Sequence, residues 1–184
     1  MGQTTDKIFE RAKVNLEENN HEHALRLFNE VLNREPRHLK ALRSKALIKI
    51  MNDSQEEAED FLLFAINQQP DDDQLHQMLG TFYHNSENPR KALAQFEKAL
   101  KVNENNLLSL RGLGIIYAHF LGEHKKALNY FSKALEIEQS ADLYFDRGCS
   151  NMICDNLEKA EQDLRKAADL GHQQAKEMIS NYFE

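Results

Sequence analysis

Residues 73–106 read DQLHQMLGTFYHNSENPRKALAQFEKALKVNENN, and residues 107–140 read LLSLRGLGIIYAHFLGEHKKALNYFSKALEIEQS. Set one above the other, they put Leu79-Gly80 over Leu113-Gly114 and Tyr83 over Tyr117. After a one-residue offset, Ala92, Phe96 and Ala99 fall over Ala127, Phe131 and Ala134. The pattern runs outward in both directions. Small residues recur every 34 positions as Ala12, Ala46, Gly80, Gly114 and Gly148. A second series runs Ala24, Ala58, Ala92, Ala127 and Ala160. Four residues after each comes Phe28, Leu62, Phe96, Phe131 and Leu164.

Each unit therefore holds two apolar patterns of helical period, Ala-x-x-x-Phe-x-x-Ala being one face of a helix at i, i+4 and i+7. The small residue in the middle of the first pattern lets a neighbouring helix approach closely. A helix pair cannot bury its apolar face alone, so pairs must stack. Start signals agree. Ser54 with Glu57 forms a capping box, and Asn88-Pro89 puts a capping residue before proline at the first helical position. The run Asp71-Asp72-Asp73 suits a helix start, where negative charge offsets the dipole. The alanine spacing is 34, 34, 35 and 33, so the fourth unit carries one extra residue within 119–124, expected as a loop insertion. Segment 171–184 repeats the first helical pattern once more and is expected to close the stack, with Ala175, Met178, Ile179 and Tyr182 on its stripe.

This register resembles the tetratricopeptide repeat over about residues 5–172. The departures are the missing Trp at the first aromatic position, polar Asn15, Lys49 and Asn151 where Tyr is usual, and no Pro ending units three to five. The resemblance implies an all-α, right-handed α-solenoid of helix-turn-helix units. Residues 1–184 form one array, with repeats at about 5–38, 39–72, 73–106, 107–140 and 141–172 and a capping helix at about 173–183, eleven helices in all. It also implies that the first helices line a concave face used to bind proteins.

Composition narrows the function. Hydrophobic residues make up 41% and charged residues 29%, with 7 Gly and 3 Pro, which fits a folded, surface-charged helical chain. A net charge of −7 disfavours nucleic acid. No apolar run is long enough to span a membrane, and the N-terminal residues carry no secretory pattern. Gly2 lacks the Ser or Thr at position six that myristoylation prefers, since Asp6 stands there. Cys149 and Cys154 are spaced for different sides of a helix, so reduced thiols and a cytoplasmic protein are expected. No nucleophile elbow, phosphate loop or dinucleotide fingerprint occurs, and the eight histidines show no zinc spacing. His84 and His119 are expected near one another without a third ligand, and His76 as a buried, hydrogen-bonded histidine. No catalysis, cofactor or metal is expected. Gly112 has no place in the repeat pattern.

In the register the resemblance implies, the concave face presents Lys13, Lys40, Arg43, Leu47, Gln74, Gln77, His84, Arg111 and Ile115 as peptide-binding residues, with Ile50, Met51, Asn85 and Leu108 beside them. Guanidinium and amide groups suit a carboxylate or a peptide backbone, and aliphatic residues take side-chain anchors. The two-carboxylate clamp of some tetratricopeptide-repeat proteins fails in each possible register, for instance on Leu47 and Met78. The expectation is a non-enzymatic adaptor binding a peptide with an acidic residue or free C-terminus flanked by aliphatic anchors. The alternative is structural bridging or self-association, with a homo-oligomer possible, through the convex face or the ends of the array.

Overall fold

The structure is a computed structural model that describes residues 4–183, so Gly2 lies outside the described residues. Eleven helices follow one another: α1 Thr5–Glu17, α2 His21–Arg34, α3 Leu39–Asn52, α4 Gln55–Gln68, α5 Asp73–Asn85, α6 Pro89–Val102, α7 Leu107–Ile115, α8 His124–Ile137, α9 Ala141–Ile153, α10 Leu157–Asp169 and α11 Gln173–Tyr182. No strand occurs among the described residues. The helices pair as hairpins, and the first helices also stack on each other, α3 on α5 and α5 on α7.

Capping sets the period as firmly as packing does. Thr4, His38, Asp72, Asn106 and Ser140 precede the five first helices at intervals of 34. The side chains of the last four accept a hydrogen bond from the backbone N–H three residues on. Each satisfies one of the unpaired donors at a helix start. Ser54 and Asn88 do the same for α4 and α6.

The five small residues are buried without exception, as are Phe28, Leu62, Phe96, Phe131 and Leu164. At Gly114 a Cβ would lie 2.4 Å from the Phe131 ring, and at Gly80 it would lie 2.6 Å from the Phe96 ring. Glycine is therefore required by close approach at these two helix contacts. Gly112, which the sequence leaves without a role, has the same one. A Cβ there would meet the opposite edge of Phe96 at 2.5 Å.

The extra residue of the fourth unit is not in the loop. α7 runs on into a π-helical turn, Ile116–Phe120, and three residues then lead to α8, as three lead from α5 to α6. Widening the helix by one residue keeps the three-residue turn, whose central residue is Gly122 at φ 66° where the third unit has Glu87 at φ 55°. Loop insertion is the cheaper event in general. Here the turn geometry is held by its backbone hydrogen bonds, Glu123 N–H to Tyr117 O at 2.8 Å among them, and the helix absorbs the change.

At the C-terminal end α11 lays Ala175 and Ile179 against Leu164 and Ala167 of α10. Tyr182, expected on that stripe, points away and is exposed.

Candidate functional site

The first helices of units two to four build a cavity of about 590 Å³. Arg43, Ser44, Leu47 and Ile50 come from α3. Gln77, Met78, Thr81, Phe82 and Asn85 come from α5, and Leu108 from α7, with Gln55 and Ser86 closing the rim. Leu47 and Leu108 are apolar yet 44% and 57% exposed, whereas Phe82 is buried and forms the floor. The cavity thus has apolar walls and a polar rim.

Of the nine residues expected to bind, the cavity gathers three: Arg43, Leu47 and Gln77. Gln77 donates to Thr81 Oγ1 at 2.9 Å. Lys40 and Gln74 are exposed outside the cavity. Lys13 lies at the N-terminal end, 3.6 Å from Glu17. Ile115 is half-buried against the cluster around Phe131. His84 meets Phe120 edge-on at 6.0 Å between ring centroids; the π turn brings Phe120, in place of the expected His119, to this ring. Among the described residues no group of three or more His, Cys, Asp or Glu has metal-holding geometry. His76 is buried, with Nδ1 2.9 Å from Gln95 Oε1 and Nε2 2.9 Å from the Pro70 carbonyl.

The two arginines differ from expectation in what they hold. Arg43 Nε donates to Asp72 Oδ1 at 3.0 Å, and its second nitrogen pairs with Oδ2 of the same carboxylate. Asp72 is buried and also caps α5 through Leu75 N–H at 2.8 Å. Arg111 pairs with Asp142 at 3.1 Å and with Asp146 at 3.0 Å. Burial pushes the Asp146 carboxyl up, the Arg111 charge and hydrogen bond pull it down, and Asp142 adds to the rise. Both guanidinium groups are thus committed to carboxylates of this chain.

Ser44, Met78 and Phe82 line the cavity and were missed by the concave register. A signal existed. Ser44 and Met78 are 34 apart, two residues before the small residue, in the same column as Gly112 and Asp146. In units four and five that column faces the preceding unit, Gly112 against Phe96 and Asp146 against Arg111.

Cys149 is half-buried, its Sγ 4.0 Å from Met178 Sδ. Burial, with Asp146 adding, pushes its thiol up to about 11. Arg147 turns away to Asp163, at 2.9 and 2.7 Å.

A family profile described as Tetratricopeptide repeat matches residues 74–140. That match falls on the two units whose residues carry the register, and the helix pairs repeat along the described chain. The array has the tetratricopeptide-repeat fold. Its solenoid is shared with solved structures along nearly its whole length. YrrB, described as a TPR protein with an unusual peptide-binding site, is 25% identical with a TM-score of 0.73, over 94% of this chain and 90% of that one. PilF of Pseudomonas aeruginosa is 16% identical with a TM-score of 0.81, over 92% of this chain and 77% of that one. MamA is 18% identical with a TM-score of 0.73, over 99% and 97%. Comparison with curated protein sequences returns no match. The tetratricopeptide-repeat fold is that of protein-interaction scaffolds, and no helix among the described residues is long and apolar enough to cross a membrane.

Proposed function

We propose that this chain is a non-enzymatic adaptor, one array of five repeats over 5–172 closed by α11, that binds a segment of another protein on its concave face. The observation that carries the reading is the cavity between α3, α5 and α7, where Leu47 and Leu108 stand exposed over Phe82. A solvated face has no need of exposed leucines lining one cavity; a docking cleft does. YrrB, similar in fold and a TPR protein with an unusual peptide-binding site, supports the same use. Lys40, Gln74 and Gln77 would contact the segment beyond the cavity, with Lys13, His84, Arg111 and Ile115 along the rest of the face. The unpaired thiols Cys149 and Cys154 fit a reducing compartment, the cytoplasm.

The test is a comparison of proteins retained from source-cell lysate by the wild-type chain and by Leu47→Glu/Leu108→Glu. Both positions are exposed, so the variant should fold. Loss of specific partners supports the cleft. An unchanged set moves the site elsewhere.

One observation favours a second reading, bridging through the convex face. On α4, Leu63 and Phe64 are exposed. The matching positions of the other units are Asn29-Glu30, Glu97-Lys98, Ser132-Lys133 and Arg165-Lys166. Partners lost from Leu63→Lys/Phe64→Lys, and kept by the cleft variant, would support it.

A further inference from the structure

We infer that the cleft's occupant is an uncharged apolar segment from within a partner chain, anchored by adjacent aliphatic or aromatic side chains, and neither an acidic residue nor a free C-terminus. This deepens the adaptor reading and rests on it. The argument is one of charge complementarity. The cleft's only guanidinium among the lining residues, Arg43, is matched by Asp72, and every other lining side chain is neutral. A carboxylate entering here has to draw Arg43 away from a buried Asp72 that would then be left without its partner, a costly exchange. Further along the face Arg111 already meets two carboxylates, so it too offers no surplus positive charge. An apolar side chain costs neither pair anything and covers Leu47, Leu108 and Phe82 from water.

Size sets the anchor. A volume of about 590 Å³ falls in the range of sites that hold a ligand larger than one side chain. Two neighbouring side chains of one segment, at the i and i+3 or i+4 positions of an amphipathic helix, fill such a groove in a recurring mode of recognition. The rim then bonds the polar flanks of the segment through Asn85 and Gln55.

The experiment is selection of linear peptides from a display library on the full chain, with counter-selection on Leu47→Glu/Leu108→Glu. The selected peptides are then synthesised with a free acid or an amidated C-terminus. Expected is a consensus of two apolar positions without a required Asp or Glu. Acid and amide forms should bind within about twofold, and the variant should bind at least tenfold more weakly. A consensus that demands Asp, Glu or a terminal carboxylate, and is lost on the variant, overturns this inference and leaves the adaptor reading standing. Peptides indifferent to the variant, or none at all, count against both. Sedimentation of the chain alone covers the remaining occupant: a dimer abolished by Leu47→Glu makes the segment a second copy of this chain and also overturns the inference.

Discussion

The ring of Phe96 is wedged between two glycines, its one edge against Gly80 of the same repeat and its other against Gly112 of the next. Cβ atoms added at these glycines would lie 2.6 and 2.5 Å away. One side chain thereby fixes the spacing of three helices: α5, α6 and α7.

Gly112→Ala should destabilise the array for that reason. Alanine gains about 1 kcal/mol of helix propensity over glycine, while overpacking costs about 1–3 kcal/mol. The ring cannot retreat from residue 112 without running into Gly80, so the cost should win. Gly114→Leu, against Phe131, should be worse. Thermal melts will show this, and Phe96→Leu should partly rescue Gly112→Ala. A Gly112→Ala melt at or above that of the wild type would mean that the ring has room to move.

The repeat, the helix count and the aligned small and aromatic residues were legible because each depends on contacts one period apart. Gly112 was not, because its reason lies in the far edge of a ring counted as the core of the previous repeat. The alanine spacing revealed the extra residue but not its site; only the hydrogen-bonded turn around Gly122 shows that the helix had to give way. At the cleft, Leu47, Gln77 and Arg43 were readable from register. The neutralisation of Arg43 was not, since Asp72 had an adequate role as part of a helix start.

Arg43→Ala should cost stability as well as any effect on binding. It strips a buried carboxylate of a charge-assisted, two-pronged partner, a loss of about 1–3 kcal/mol. A double-mutant cycle with Asp72→Asn, read by urea unfolding, should return a favourable coupling. Additive effects would show that the pair is incidental, and Arg43 would regain a place in partner recognition.

Acid should weaken the contact between units two and three. Glu59 accepts from Tyr83 Oη at 2.6 Å and from Lys91 Nζ at 3.0 Å. Those two bonds hold its carboxyl below the ordinary value, against a smaller rise from burial. The folded group ionises more readily than the unfolded one. Its stabilisation is therefore fully present above the unfolded value of about 4.3 and is lost as pH falls through the lower folded value. The melting difference between wild type and Glu59→Gln should be positive at pH 7 and shrink as pH falls through the lowered folded value. A difference independent of pH would assign the effect to packing.

Cys149 should be a slow thiol. With its pKa pushed up to about 11 by burial and Asp146, roughly one part in a thousand is thiolate at pH 8, against about a quarter for an ordinary thiol. Alkylation by iodoacetamide, followed by peptide mass spectrometry, should leave Cys149 unmodified long after a small-molecule thiol has reacted. Asp146→Asn should speed the reaction by removing a negative neighbour. Rapid labelling of the native wild-type chain would contradict the burial.

Removing residues 172–184 should destabilise the chain at its C-terminal end. α11 covers Leu164 and Ala167 with Ala175 and Ile179, and His172 both caps it, through Ala175 N–H, and stacks on Phe145 at 4.1 Å. Re-exposing Leu164 alone costs about 1.5–3 kcal/mol. An uncovered terminal repeat also offers an apolar face to other copies, since the end units of an array are what keep it soluble. The truncated chain should melt earlier and self-associate in light scattering, while Tyr182→Ser, at an exposed position, should do neither. Ile179→Ala separates covering from mere chain length: the helix remains, one buried side chain is lost, and the melt should fall part of the way. A truncation that stays monomeric with an unchanged melt would make α11 an appendage, and α10 would then have to be stable with its apolar face open to water.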